Sequence, residues 1–268
     1  MPGGSLSGRT AVVTGASRGI GAAIAARFAA EGAAVAVTAR SVSDTDSRFP
    51  GTITETVRAI RSGGGTAIAV AADLSDPEDR ERLAAEAAAA LGPIDILVNN
   101  AAVTYFAPVA DFSDRRLRLM FEVQVYAPMH LSQLLVPGMA AKGQGWIVNI
   151  SSGAARHPHP GAPHAGMGAT MYGMCKAALE RLSTGLAAEL HESNVAVNAL
   201  SPNRVVPTPG TVHHHLVRPD DPSQVVEPPE VMAAASLALC SRPPRELTGR
   251  VAYSQDLLAE LGSAVALS

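Results

Sequence analysis

Three side chains in the second half of the chain have the types and spacing for proton transfer at an alcohol or carbonyl oxygen. Tyr172 and Lys176 stand at i and i+4, which on a helix makes them neighbours on one face. A phenol near an ammonium is expected to ionise below its usual ~10, because the cation favours phenolate. Such a tyrosine can exchange a proton with an alcohol oxygen at moderate pH. Ser151-Ser152 lies upstream, at the end of the apolar run Trp146 to Ile150. A serine hydroxyl at that strand end can hydrogen-bond the same oxygen. A lone Tyr-x-x-x-Lys is also an ordinary helix-surface pair, so its meaning depends on the rest of the chain.

That context lies near the N-terminus, at Val12-Val13-Thr14-Gly15-Ala16-Ser17-Arg18-Gly19-Ile20-Gly21. Ala11 to Val13 reads as a buried parallel strand. Ile20, Ile24 and Phe28 give the following helix an apolar face. A strand turning tightly into a helix aims free N–H groups and the positive dipole end at one point. That point suits a phosphate, and glycines let a pyrophosphate come close. The spacing is G-x-x-x-G-x-G rather than the common G-x-G-x-x-G.

A second signal closes the second strand, where an acid would hold the ribose of NAD and an arginine suits the 2′-phosphate of NADP. Here the residues are Ala39-Arg40, with no acid until Asp44. Arg18 could reach the same phosphate and complete a bidentate clamp; two solvated arginines are the plainer alternative. Asp73-Leu74, past the third strand, falls at the adenine end, or is simply a loop acid and its neighbour. NADP(H) is therefore expected ahead of NAD(H).

The elements that must hold these residues alternate strand and helix. Strands are expected at Ala33–Thr38, Ala67–Ala71, Ile94–Val98, Trp146–Ile150, Val195–Leu200 and Arg250–Tyr253, besides the first. Helices are expected around Ile53, Val57 and Ile60, from Asp76 to Leu91, from Ser113 to Met139 with bends near Pro128 and Pro137, from Met171 to Leu190, and from Val231 to Leu239. Ser41 to Pro50 reads as a loop. This alternation specifies an α/β fold: a doubly wound parallel sheet with helices on both faces.

The 268 residues suffice for one large domain spanning 1–268. A net charge of −3 argues against a nucleic-acid-coating surface. Cys175 and Cys240 make no disulfide framework. No apolar run approaches ~20 residues and no signal segment is legible. A soluble, cytoplasmic protein with no membrane partner is expected.

Taken together, Thr14-Gly15-x-x-x-Gly19-x-Gly21, Asn99-Asn100-Ala101, Ser152 and Tyr172-x-x-x-Lys176 resemble the short-chain dehydrogenase/reductase family, in its order and over nearly the whole chain. The resemblance implies a Rossmann-type domain of about seven parallel strands, hydride transfer at a nicotinamide, and a dimer or tetramer. It casts Tyr172 as acid/base, Ser152 rather than Ser151 as holder of the substrate oxygen, and Lys176 as ligand of the nicotinamide ribose. Asn99 would support the sheet. The implied cofactor site comprises Gly15, Ser17, Arg18, Gly19, Ile20 and Gly21, then Arg40, Asp73 and Leu74, then Asn100, Ala101, Tyr172, Lys176, Pro202 and Val205.

The chain also departs from the family's pattern. Asn-Asn-Ala-Gly ends in Ala102. Gln124, in Phe121-Glu122-Val123-Gln124, stands where a catalytic asparagine is usual. Pro202-Asn203 replaces Pro-Gly, and Thr208 falls one place late for a nicotinamide-amide contact. Tyr253-Ser254-Gln255-Asp256 stands where Asp-Gly-Gly is usual. His213-His214-His215, and His157, His159 and His164 among prolines, match no metal-ligand spacing, so no metal is expected; loop or pocket histidines are. The stretches 103–108, 155–170 and 208–222 are expected to wall a substrate pocket. The expected activity is NADP(H)-dependent reduction of a ketone, aldehyde or 3-oxoacyl carbonyl, or its reverse. The competing expectation, kept open by Gln124, is a catalytically weak dinucleotide-binding sensor or assembly partner. Leu117, Met120, Phe121 and Gln124 on one long helix, with Ala177, Leu182 and Leu186 on the other, suggest a homo-oligomeric face.

Overall fold

The computed structural model describes residues 4–43, 49–161, 168–218, 221 and 223–263. Asp44, His164 and Pro222 lie outside them. Strands β1 (Thr10–Thr14), β2 (Ala34–Ala39), β3 (Thr66–Ala71), β4 (Ile96–Asn99), β5 (Gly145–Ile150), β6 (Val195–Ser201) and β7 (Val251–Tyr253) form one sheet. Its order is β3-β2-β1-β4-β5-β6-β7, and every neighbouring pair is parallel. The Rossmann-like expectation of a seven-stranded parallel sheet covered on both sides holds.

Because side chains alternate along each strand, the apolar runs feed two cores. Val13, Val35, Val37 and Trp146 join Phe28 of α1 (Gly19–Ala30), Ile60 of α2 (Ile53–Ser62) and Met232 of α8 (Pro229–Ser241). Val12, Ala36, Leu97 and Ile147 face Leu83 of α3 (Pro77–Leu91) and Leu131 and Met139 of α5 (Ala127–Lys142). Asp76 caps α3 through Glu78 N–H, as a capping acid before proline should. On the second of these faces, alongside Leu97 and Ile147, runs a polar chain. Asn99 is opposite Asn149 in register; Asn99 Nδ2 donates to Asn149 Oδ1 at 2.8 Å, and Asn149 Nδ2 to Ser183 Oγ at 2.8 Å on α6 (Thr170–Glu189).

The long helix differs from its expectation. It begins as α4 (Asp114–Phe121), widens into a π-turn over Glu122–Tyr126, and continues as α5 to Lys142. The irregularity directly precedes Pro128, where a bend was expected. The helix is continuous there, Tyr126 being helical, so Pro128 lacks the N–H for an i→i−4 bond and its ring crowds the carbonyl of Gln124 within the π-turn. The π-turn is braced by an ion pair between Arg80, itself buried and donating to Leu74 O, and Glu122. Two short helices were not expected: α7 (Pro209–His213) and α9 (Ser254–Glu260). No helix among the described residues is long and apolar enough to cross a membrane.

Candidate active site

The sheet order reverses direction between β1 and β4, and a cleft of 660 Å³ opens at the carboxyl ends of these strands. Crevices at such a switch point are where open α/β sheets hold ligands. Gly15, Ser17, Arg18, Gly19 and Ile20 line it together with Asn100 and Ala101, as do Ser152, Tyr172, Lys176, Pro202 and Val205 from the loops after β5 and β6 and from α6. Gly15 has φ +63°, and a Cβ there would sit 2.7 Å from Ala101 Cα. The loop is tied to the end of β4: Asn100 Nδ2 donates to Thr14 O at 2.8 Å and Gly15 O at 3.1 Å, while Thr14 Oγ1 accepts from the N–H of Asn100 and Ala101. Gly21 stands behind the loop, outside the lining, where a Cβ would come within 2.5 Å of Gly15 O. The left-handed glycines and the close approach of β1 and β4 backbone make a cradle that fits a dinucleotide phosphate.

At the far end the two arginines have different surroundings. Arg40 lines the cleft with a side chain 63% exposed, its Nη1 3.7 Å from Asp73 Oδ2. Asp73 and Leu74 line the same wall, Asp73 Oδ1 accepting from Ser75 N–H and hydroxyl. Arg18 instead holds the β2–α2 loop: its Nη2 donates to Ser41 Oγ at 3.0 Å and Gly51 O at 2.8 Å, and its Nη1 to Phe49 O at 3.0 Å. Burial lowers its pKa, an effect that Glu55 partly offsets. Both arginines line the cleft, Arg40 open to it and Arg18 also engaged in holding the loop beside it.

Lys176 and Tyr172 do share a face of α6. The ammonium is buried, 3% exposed, and donates to Ile150 O at 2.8 Å; it lies 5.7 Å from the centre of the Tyr172 ring. The expected lowering of the tyrosine pKa is overturned. Burial pushes Tyr172 up to about 12, against a hydrogen bond with Ser152 that favours phenolate. Burial pushes Lys176 down to about 8, with the charges of Cys175 and Glu180 working the other way. Desolvation is the largest cause of both shifts, each disfavouring the charged form. The serines separate cleanly: Ser151 Oγ turns away and donates to Glu180 Oε1 at 2.7 Å, leaving Ser152 as the partner of Tyr172.

Two of the three expected stretches wall the pocket, 103–108 and 208–222; no described residue of 155–170 lines it. Val103, Thr104, Tyr105 and Phe106 line the cleft, as do Thr208, Thr211, His214 and Leu216. Phe106 stands edge-on to Tyr172 at 5.8 Å and to His214 at 5.1 Å. His213 packs on Phe49 at 5.3 Å, joining the α7 loop to the loop held by Arg18. Thr208 caps α7 by accepting from Thr211 N–H. Gln124 does not line the cleft. It is 1% exposed in the π-turn, and its Nε2 donates to Val103 O at 2.9 Å. Glu227, Ser254 and Gln255, which the sequence did not single out as site residues, meet Asn203 beside Pro202 and Val205. Only the two departures from the family pattern, at Asn203 and at Ser254-Gln255-Asp256, marked this place.

A parallel sheet with a phosphate cradle at its switch point and a Ser–Tyr–Lys group beside it defines a dinucleotide-type oxidoreductase fold. Residues 9–214 match the family model for short chain dehydrogenases. The chain is 32% identical over 257 residues to the 7alpha-hydroxysteroid dehydrogenase of Escherichia coli strain K12, covering 92% of each. It is 35% identical over 221 residues to a short chain dehydrogenase of Pseudocercospora fijiensis, covering 81% of this chain and 64% of that longer one. A metagenomic short-chain oxidoreductase solved in complex with NADP superposes with a TM-score of 0.75 at 32% identity, over 93% of this chain and 98% of that one. This chain belongs to the short-chain dehydrogenase/reductase family of oxidoreductases.

Proposed function

We propose that this chain is a single dinucleotide-binding and catalytic unit that reduces a carbonyl compound with NADPH, or oxidises the corresponding alcohol with NADP. The observation that carries this reading is the meeting of Ser152, Tyr172 and Lys176 at one end of a cleft whose other end holds the glycine loop and Arg40. A nicotinamide dinucleotide, when bound, supplies or takes the hydride. The glycine loop's N–H groups would hold its phosphates, Arg40 its 2′-phosphate, Asp73 and Leu74 its adenine end, and Lys176 its ribose. Ser152 would orient the substrate oxygen. Tyr172, protonated at neutral pH, is set to give that oxygen a proton in the reducing direction. Ring edges from Phe106 and His214 favour a medium-sized, partly apolar ketone, aldehyde or 3-oxoacyl compound.

We also infer a homo-oligomer, dimer or tetramer, built on the two expected long helices but with only part of the expected residue set. Met120 and Gln124 are buried within the chain. The outward groove between α5 and α6, 530 Å³ in volume, is lined by Met129, Val136, Leu182, Gly185 and Leu186, with Tyr126 and Met174 exposed nearby on the same helical layer. The reading of the cleft is tested by NADPH oxidation against a panel of ketones, aldehydes and 3-oxoacyl thioesters, in wild type and Tyr172→Phe. The phenylalanine variant should lose turnover and bind NADPH within about twofold of wild type, since only the proton donor is removed. Wild-type rates in that variant would refute the role of Tyr172.

A further inference from the structure

Behind the loop that follows β6 lies a polar cluster that the proton-transfer chemistry does not use. Glu227 is 0% exposed, and its carboxylate is met by neutral donors. Ser254 Oγ donates to Oε1 at 2.5 Å; Gln255 Nε2, at 2.7 Å, and the Asn203 N–H, at 3.2 Å, donate to Oε2. The N–H of Glu227 donates to Val205 O at 3.0 Å. Asn203 reciprocates across the cluster, its Oδ1 accepting from Gln255 N–H at 2.7 Å and Asp256 N–H at 3.4 Å. It thereby caps the first turn of α9, for which the preceding Tyr253 offers no side-chain cap.

Burying a carboxylate is costly even when it is fully hydrogen-bonded, and an apolar cluster of the same shape would stabilise the fold at least as well. What such a network fixes is geometry. Here the fixed segment is Pro202–Val205, gripped at Asn203 by side chain and N–H and at Val205 by its carbonyl. Pro202 and Val205 line the cleft beside Tyr172 and Lys176. The C-terminal segment also reaches the opposite wall: the Arg156 guanidinium lies 3.9 Å over the Tyr253 ring, one residue beyond the 3-10 turn Gly153–Ala155 that follows Ser152.

We propose that Glu227 is a positioning residue that holds the Pro202–Val205 segment at the nicotinamide end of the cleft, through Asn203, Ser254 and Gln255. The proposal rests on the reading of the cleft as a dinucleotide site. Glu227→Gln keeps the shape and removes the charge that strengthens all three hydrogen bonds. Its NH₂ can be accommodated only by Ser254, whose hydroxyl can turn to accept.

The test is a fluorescence titration of NADPH with wild type, Glu227→Gln, Glu227→Ala and Glu246→Ala, with the melting temperature of each recorded. Wild type is titrated first, with NADPH and NADH. If it binds neither, the dinucleotide reading falls and the proposal with it. If it binds, Kd for NADPH should rise about fivefold in Glu227→Gln, and more in the alanine variant where that folds. With saturating NADPH, kcat of Glu227→Gln should change by less than about twofold, and the control Glu246→Ala, exposed and outside the cleft lining, should keep Kd within the same margin. An NADPH Kd for Glu227→Gln within about twofold of wild type overturns the proposal, whatever its melting temperature.

Discussion

Replacing Arg40 by alanine should weaken NADPH binding and leave NADH binding nearly unchanged. The magnitude follows from where Arg40 stands. Two unit charges about 4 Å apart attract by about 1 kcal/mol in water and about 4 kcal/mol at the effective dielectric of a protein surface. The Arg40 side chain is 63% exposed, which places it toward the watery limit, and salt screens it further. Asp73, with Oδ2 3.7 Å from Nη1, competes for the same guanidinium. A net contribution of about 1–2 kcal/mol remains, or roughly 5- to 30-fold in Kd. Arg40→Asp should go further and erase or reverse the preference, because a carboxylate there joins Asp73 in repelling a 2′-phosphate. Arg18 is a poorer target: its bonds to Ser41, Phe49 and Gly51 mean that removing it also loosens the neighbouring loop. The assay is titration of each variant with NADPH and NADH at two ionic strengths, and the NADPH advantage should shrink with salt. Wild-type protein that binds NADH as tightly as NADPH would refute the argument, as would an equal loss for both dinucleotides in Arg40→Ala.

Other expectations concern the same cleft and its outer face. Burial holds Lys176 near a pKa of about 8, so above that pH the amine is neutral and a poorer partner for ribose oxygens. NADPH affinity should therefore fall as pH rises through about 8, and Lys176→Met should bind weakly without that dependence; a flat wild-type profile from pH ~7 to ~9 would refute this. Gln124→Asn should change kcat by less than about tenfold, ~1.4 kcal/mol in barrier, because the Gln124 amide is engaged with Val103 O outside the cleft lining. A much larger gain, read by steady-state kinetics, would mean that glutamine impairs the natural protein. Light scattering at micromolar concentration should give a dimer or tetramer mass, and Leu182→Glu should reduce it to the monomer's; a monomeric wild type would rule out the assembly.

The parts of the fold legible in the sequence are those with few alternatives. Val12-Val13 and Ile147-Val148 are too apolar to lie anywhere but in buried strands, and the glycines of the loop announced a tight strand-to-helix turn. Tyr172 and Lys176 could be paired because helix geometry alone makes i and i+4 neighbours. The direction of their pKa shifts was not legible, because it depends on burial, and spacing reports only proximity. Pro128 marked the irregular stretch of the long helix, but its form, a π-turn over Glu122–Tyr126, was not legible, because a proline signals only a lost hydrogen bond and a crowded carbonyl. Arg18 was readable as a cation near the glycines, but its ties to Phe49 and Gly51 come from a loop more than thirty residues away. The Glu227 cluster was hidden for the same reason, since Asn203 and Ser254 lie 24 and 27 positions from Glu227 on either side.

The amide chain Asn99–Asn149–Ser183 has a consequence for how faithfully this chain reaches its active form. A strand that slips by one residue turns every side chain to the other face. If β5 slipped against β4, Asn149 would leave both Asn99 and Ser183, and each abandoned buried amide costs about 1–3 kcal/mol. The misaligned sheet would also lose its polar seat for α6, and α6 carries Tyr172 and Lys176. The side chains that fix strand pairing are thus the same ones that seat the helix bearing Tyr172 and Lys176. A misregistered molecule should lose the placement of both along with the pairing.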